Sequence, residues 1–160
     1  MRDRVTGDRQ EGGSVREAAS DSSPFTWPVR VYWEDTDAGG VVYYANYLKF
    51  LERARTEWLR VKGIEQLQLQ QEQGLMFVVV NAQTNFQRPA RYGDLLQVTC
   101  AVETWSKASL TFRQEVLREA EHSAERDVLV TGQVRVACVD AAKFRPRALP
   151  DSILRELTSC

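Results

Sequence analysis

A carboxylate, two glycines and a predicted helix start follow one another in the segment DTDAGGVVYYANYLKF, residues 35–50. A helix N-terminus offers free backbone N–H groups and partial positive charge, which suit an oxygen that becomes negative during a reaction. Gly39 and Gly40 permit a tight turn and the close approach of a ligand. Asp37 has the chemistry of a nucleophile or of a general base that activates water. Together these groups would suffice for acyl transfer.

The same pattern is also common in turns and helix caps that have no catalytic role. Glu34 and Asp35 are acidic neighbours of Asp37, and spacing alone does not select among the three carboxylates. The three tyrosines of the segment fit a core or an interface as well as a site. We expect one of them to face the site.

Other catalytic chemistries lack the residues they need. The one histidine, His122, lies in a charged loop, so a Ser-His-Asp or Cys-His mechanism has no suitable base. Cys100, Cys138 and Cys160 are too widely spaced for a zinc site or a disulfide framework, and the first two fall in apolar alternations that predict burial. Phosphate-loop and dinucleotide motifs are missing from the sequence. We therefore expect no metal and no cofactor.

Composition predicts one globular domain. The 160 residues are 43% hydrophobic with a net charge of −1, which gives no global attraction to nucleic acid or to anionic membranes. Residues 1–24 are polar and are predicted to be a disordered tail, with a single domain over 25–160. Signal-peptide and membrane-spanning patterns are not found in the sequence, so we expect a cytoplasmic protein without membrane insertion.

Hydrophobic periodicity sets the expected architecture. One amphipathic stretch has helical spacing, and five stretches alternate with period two, which is typical of an antiparallel sheet with one buried face. The pattern predicts an α+β fold in which a long central helix is wrapped by a five-stranded antiparallel sheet. The predicted elements are a strand at 29–34, a helix at 44–62, a helix or loop at 66–74, strands at 76–86, 96–103, 110–116 and 128–138, and a short helix after Pro150.

Residues 31–60, VYWEDTDAGGVVYYANYLKFLERARTEWLR, resemble the signature of the hotdog-fold acyl-CoA thioesterases of the 4-hydroxybenzoyl-CoA thioesterase-like group. The resemblance is closest to the Tol-Pal-associated acyl-CoA thioesterases of Gram-negative bacteria. NFQRPARYGDLL at 85–96 and WSKASLTF at 105–112 extend the similarity over most of the chain after residue 28.

The resemblance implies hydrolysis of acyl-CoA thioesters, with Asp37 as the catalytic carboxylate and the backbone N–H near Tyr44 as the donor to the carbonyl oxygen. It implies active sites at the interface of a homodimer, which often pairs into a homotetramer. Acyl-CoA is the expected substrate, and acyl carrier protein is a possible carrier. The residues it suggests for substrate binding are Gly40, Val41, Tyr43, Asn46 and Tyr47 from the motif, and Arg88 and Lys107, with Arg145 and Arg147, for the CoA nucleotide.

Tyr44 departs from the Tol-Pal-associated members, which commonly carry histidine at this position. If the backbone N–H of residue 44 is the catalytic group, the change of side chain is tolerated. If an imidazole assists proton transfer, the change is not tolerated. The departure motivates a second hypothesis, a non-catalytic protein that binds acyl thioesters or acts as a scaffold. A third hypothesis, a hotdog dehydratase, requires a histidine beside a carboxylate, and His122 is badly placed for it.

Overall fold

The computed structural model describes residues 14–19, 23–120 and 124–159. None of the helices in these ranges is long and apolar enough to cross a membrane. His122 and Cys160 lie outside the described residues. The elements are β1 (Arg16–Glu17), β2 (Phe25–Arg30), a single 3-10 turn (Trp33–Asp35), α1 (Asn46–Val61), α2 (Gln66–Gln73), β3 (Leu75–Phe86), β4 (Leu95–Ser106), β5 (Ser109–Glu119), β6 (Arg126–Asp140) and α3 (Asp151–Thr158).

The strands form one antiparallel sheet in the order β1-β4-β5-β6-β3, with β2 also paired to β4. The predicted α+β class is therefore confirmed, although the described sheet has six strands and not five. The sixth strand is β1, which lies within the segment predicted to be a disordered tail. Its residues Arg16 and Glu17 lie opposite Trp105 and Thr104. Backbone pairing of this kind needs no large apolar side chain, so polar composition did not reveal it.

Helix α1 supplies the centre of the core. Its buried side chains recur at helical spacing and pack against the sheet, where the Trp58 and Phe112 rings meet edge to face at 5.4 Å. Leu48 shares the helical spacing of these apolar residues, but its side chain is exposed. The buried residues of the helix are Tyr47, Phe50, Leu51, Ala54, Arg55, Trp58 and Leu59.

The first long strand lies earlier in the chain than the alternation over residues 29–34 predicts. β2 ends at Arg30, and the chain then turns at Trp33, whose side chain is exposed. The reason lies in Asp35, because its Oδ2 accepts a hydrogen bond from the Tyr32 N–H (2.8 Å) and stabilises the turn in place of an extended chain. The alternation of residues 29–34 therefore indicated burial correctly only as far as Val31.

Cys100 and Cys138 are buried, as predicted. Burial raises the pKa of the Cys100 thiol from 9.0 to about 12, against the smaller effect of the nearby Arg55 charge. The thiol of Cys100 therefore has a higher pKa in the folded protein than in the unfolded chain. The stability that comes from burying the neutral thiol is intact below about pH 9 and is lost as the pH rises toward about 12.

We therefore expect stability to fall by up to about 1.4 kcal/mol per pH unit across this window because of Cys100. The measurement is urea unfolding across alkaline pH for the wild type and for Cys100→Ala. The wild type should lose stability more steeply than the variant. Parallel pH profiles for the two proteins would contradict the prediction.

Candidate active site

Asp37 lies at the base of a tight hairpin between β2 and α1. Its N–H donates to the Val41 carbonyl (2.9 Å), and its carbonyl accepts from the Gly40 N–H (3.0 Å). Thr36 and Val42 pair just outside this turn. Gly40 has a φ of 73°, in the left-handed region that favours glycine. The two glycines thus allow the reversal that brings Asp37 close to the start of α1.

The Asp37 carboxylate is exposed, with one oxygen held by the hairpin itself. Its Oδ1 accepts a hydrogen bond from the Gly39 N–H (2.8 Å), which fixes the direction of the side chain. A Cβ added at Gly39 would lie 3.1 Å from Oδ1, so any larger residue there would press on the carboxylate. The turn therefore orients Asp37 while leaving room at its second oxygen for a water molecule or a substrate.

The neighbouring acids have different surroundings. Asp35 is buried, and its carboxylate is bound to the Tyr32 N–H in the turn that precedes the hairpin. Glu34 is exposed within the same 3-10 turn. Of the three carboxylates, Asp37 is therefore the one within the glycine hairpin. Sequence spacing alone could not distinguish it from the other two.

The start of α1 is anchored to Asp35. The Asp35 carbonyl accepts hydrogen bonds from the Tyr43 N–H (2.9 Å) and from Asn46 Nδ2 (2.9 Å). Among the hydrogen bonds between described residues, none uses the N–H of Tyr44 or of Ala45 as a donor. Two adjacent N–H groups at a helix start are therefore unpaired, and this is the arrangement expected of a donor to a developing oxyanion.

A cavity of about 240 Å³ opens beside this helix start. Phe86 is one of its aromatic lining residues, and the Phe86 ring lies 6.1 Å from the Tyr44 ring and 5.8 Å from the Tyr47 ring. Aromatic faces at these distances make an apolar wall that suits an acyl group. The lining residues are Val42, Tyr44, Tyr47, Phe86, Gln87, Arg88 and Pro89.

The remaining motif residues surround the cavity without lining it. Tyr43 is exposed and meets the Tyr44 ring edge to face at 4.9 Å. Its hydrogen bond to Tyr44 raises the Tyr43 pKa, and the Asp37 charge adds to the shift, so this hydroxyl stays protonated near the carboxylate. Gly40 and Val41 belong to the hairpin, and Asn46 is occupied in holding Asp35.

The basic residues suggested for CoA lie in different places. Arg88 lines the cavity, and its Nη1 forms an ion pair with Asp127 (3.0 Å). Lys107 follows β4, whose twelve residues separate it from the cavity by roughly 40 Å of extended chain. Arg147 also lies at that distant end, where its backbone N–H donates to the Cys138 carbonyl. One chain therefore brings Arg88 to the site but not Lys107.

The sequence did not single out Ala90, which joins the parts of the site. The Ala90 N–H donates to the buried Tyr47 hydroxyl (3.0 Å), and the Ala90 carbonyl accepts from the Val42 N–H (2.9 Å). Val41 and Arg91 pair alongside. An alanine carries no chemical signal, and both contacts use the backbone, so residue types alone could not reveal this role.

We expect Tyr47→Phe to destabilise the protein by about 1–3 kcal/mol, because the fully buried Ala90 N–H would lose its acceptor. Urea unfolding measures the change. Tyr92→Phe is the matched control, since within the described chain the Tyr92 hydroxyl makes no hydrogen bond and the ring keeps its stack on Trp33. Equal stability of the two variants would contradict the prediction.

Comparison with known proteins places this arrangement in a family. Residues 31–157 match the model of the thioesterase-like superfamily. The chain belongs to the thioesterase-like superfamily. This matched range contains the hairpin, the helix start and the cavity.

Individual relatives of this thioesterase-like chain agree with that assignment. It is 46% identical over 132 residues to the acyl-CoA thioester hydrolase YbgC of Escherichia coli O6:H1, covering 82% of this chain and 94% of the relative. A probable thioesterase from Bartonella henselae has a solved structure that is 35% identical, with a TM-score of 0.70, covering 80% of this chain and all of the other.

The fold is also that of a more distant thioesterase. A 4-hydroxybenzoyl-CoA thioesterase variant, solved with 4-hydroxybenzoyl-CoA, superposes with a TM-score of 0.77 at 21% identity over 85% of this chain and 99% of the other. The hotdog fold implied by the resemblance of residues 31–60 is thereby confirmed.

Proposed function

We propose that this protein hydrolyses acyl-CoA thioesters to a free acid and CoA. The observation that carries the proposal is the pairing of an exposed, oriented carboxylate at Asp37 with the unpaired N–H groups of Tyr44 and Ala45 at the helix start. Membership of the thioesterase-like superfamily and the names of the relatives support the same reaction. Water is the second substrate.

The thioester carbonyl oxygen accepts from the Tyr44 N–H, and negative charge develops on it as the carbonyl carbon is attacked. Asp37 either attacks this carbon itself or removes a proton from the water that does. The carbon–sulfur bond then breaks, and the CoA thiolate takes up a proton. In the nucleophilic route, water hydrolyses the resulting anhydride and regenerates the Asp37 carboxylate.

The acyl group occupies the cavity formed around Phe86, where aromatic walls exclude water. Arg88 at the cavity edge contacts the phosphates of CoA, with Asp127 as its partner when substrate is absent. Tyr44 presents a ring where the Tol-Pal-associated members commonly have histidine, so the backbone N–H carries the catalytic role. The arrangement accommodates acyl groups delivered by CoA or by acyl carrier protein.

We further propose that the protein forms homodimers that pair into homotetramers. Strand β3 ends the sheet order on one side, and Val79 and Val80 on it are exposed, so a second copy has an edge to pair with and apolar side chains to cover. Lys107 would reach an active site only from another subunit. A cytoplasmic location and an association with the Tol-Pal system are parts of the same proposal.

The test is release of free thiol from a panel of acyl-CoAs with short, long and aromatic acyl groups. Turnover of at least one CoA thioester is the expected result, and the best substrate defines the acyl preference. Tight binding of acyl-CoA without thiol release would instead favour the non-catalytic binding role. Thiol release only from thioesters of acyl carrier protein would support thioester hydrolysis, with acyl carrier protein and not CoA as the acyl carrier.

A further inference from the structure

The segment of residues 88–94 connects three parts of the site. Through Ala90 it holds both the hairpin, at Val42, and the helix, at Tyr47. Its far end is tied to the end of β2, because the Gly93 N–H donates to the Val31 carbonyl and the Val31 N–H donates to the Asp94 carbonyl (both 3.0 Å). The position of this segment therefore sets the distance between the Asp37 hairpin and the start of α1.

Arg118 on β5 holds this segment from the sheet side. Its Nη1 donates to the Pro89 carbonyl and to Asp94 Oδ2 (both 3.3 Å), and its Nη2 donates to Asp127 Oδ2 (3.2 Å). Asp94 Oδ2 also accepts from the Arg91 N–H (2.9 Å). The guanidinium thus contacts residues on both sides of Ala90 with a single planar group.

The same guanidinium also reaches the basic residue at the cavity. Asp127 lies between two arginines, with Oδ1 paired to Arg88 (3.0 Å) and Oδ2 paired to Arg118 (3.2 Å). The Arg118 side chain is 27% exposed, which is well below the 63% of Arg88. Arg118 is therefore the more enclosed and more highly connected of the pair.

We propose that Arg118 is a positioning residue for the thioesterase reaction: it fixes segment 88–94 and, through Ala90, the geometry between Asp37 and the N–H groups of Tyr44 and Ala45. This inference rests on the proposed function. The bonds to Pro89 and Asp94 act on the rate of the chemical step, because a displacement of about 1 Å between reacting groups is enough to cost orders of magnitude in rate.

The experiment compares Arg118→Gln and Arg118→Lys with the wild type on the best acyl-CoA and on the N-acetylcysteamine thioester of the same acid. Arg113→Gln is the matched control, since Arg113 lies on the same strand and within the described chain makes no side-chain hydrogen bond or ion pair. The small thioester lacks the CoA nucleotide, so any effect seen on it does not come from Arg88 and the phosphates.

The expected result is a fall in kcat of roughly tenfold to a hundredfold for Arg118→Gln on both substrates, with KM for the small thioester within about twofold of the wild type. Arg118→Lys should recover part of the rate, because an ammonium keeps the charge but not the planar fork. Unchanged kcat in Arg118→Gln, or an equal loss in Arg113→Gln, would overturn the proposal.

Amide hydrogen exchange gives a second readout that does not depend on turnover. In Arg118→Gln, exchange should accelerate in residues 37–47 and 88–94 but not in the β3–β6 pairing. Uniform acceleration over the sheet would indicate a general loss of stability and overturn the positioning role. A wild type without thiol release would defeat the proposed function, while the exchange result would still decide whether Arg118 holds this segment.

Discussion

Asp37→Asn should lower the rate of thiol release by roughly 100- to 10,000-fold, which is the range for loss of a general base. The amide cannot take a proton from water and cannot form the anhydride with the acyl group. Its oxygen can still accept the hydrogen bond from the Gly39 N–H, so the hairpin should keep its shape. The measurement is kcat on the best acyl-CoA, with thermal unfolding of both proteins to verify the fold.

Glu34→Gln is the matched control, because it removes an exposed carboxylate three residues away in the adjoining turn. Its rate should stay within about twofold of the wild type, since it lies outside the hairpin that orients Asp37. Activity retained by Asp37→Asn would remove this residue from the mechanism. An equal loss in both variants would show that the negative charge of this region matters and not the position of Asp37.

Gln114→Leu should destabilise the protein by about 3 kcal/mol or more, because a buried polar group left without its hydrogen-bond partner costs about 1–3 kcal/mol and a charged group costs more. Gln114 is fully buried, and its Oε1 accepts from Arg55 Nη1 (2.9 Å), while its Nε2 donates to the carbonyls of Leu51 (3.0 Å) and Thr99 (3.2 Å). Burial lowers the Arg55 pKa, against the nearby Glu52 charge, so the guanidinium depends on this neutral oxygen.

Urea unfolding at a fixed protein concentration measures this loss, since an oligomer's apparent stability depends on concentration. The double variant Arg55→Met with Gln114→Leu should recover a large part of it, because the uncompensated charge is gone and the volume is filled. A double variant as unstable as Gln114→Leu would show that the lost bonds to Leu51 and Thr99, and not the Arg55 charge, account for the effect.

Local patterns predicted α1, the four long strands and α3. The helical spacing of its apolar residues was sufficient for α1 because the same face packs against the sheet. The Gln-rich sequence of residues 66–74 is compatible with a helix or a loop, and Gln66–Gln73 form helix α2, which Gly74 caps with a φ of 64°. Burial follows the alternation in β5 and β6, whereas Val80 and Phe86 on β3 are exposed although they belong to its alternating pattern.

Features that depend on distant backbone could not be predicted in this way. The pairing of β1 with β4, the turn at Trp33 and the role of Ala90 all use main-chain groups whose partners lie elsewhere in the fold. Arg118 has the same residue type as Arg113 on the same strand, and only the fold distinguishes them. Site residues that act through the backbone therefore leave little trace in residue type.

The carboxylate and the unpaired N–H groups come from residues 37–45, whereas Phe86 and Arg88 in the cavity come from a segment some forty positions later. In the proposed function, the groups that break the thioester all come from the first segment, whereas the two segments share the cavity wall, with Val42, Tyr44 and Tyr47 from the first and residues 86–89 from the second. A mutation at Phe86 can therefore change the acyl preference without replacing a group that carries the reaction. Descendants of one ancestor can in this way diverge in the acids they release while inheriting the same means of breaking the thioester.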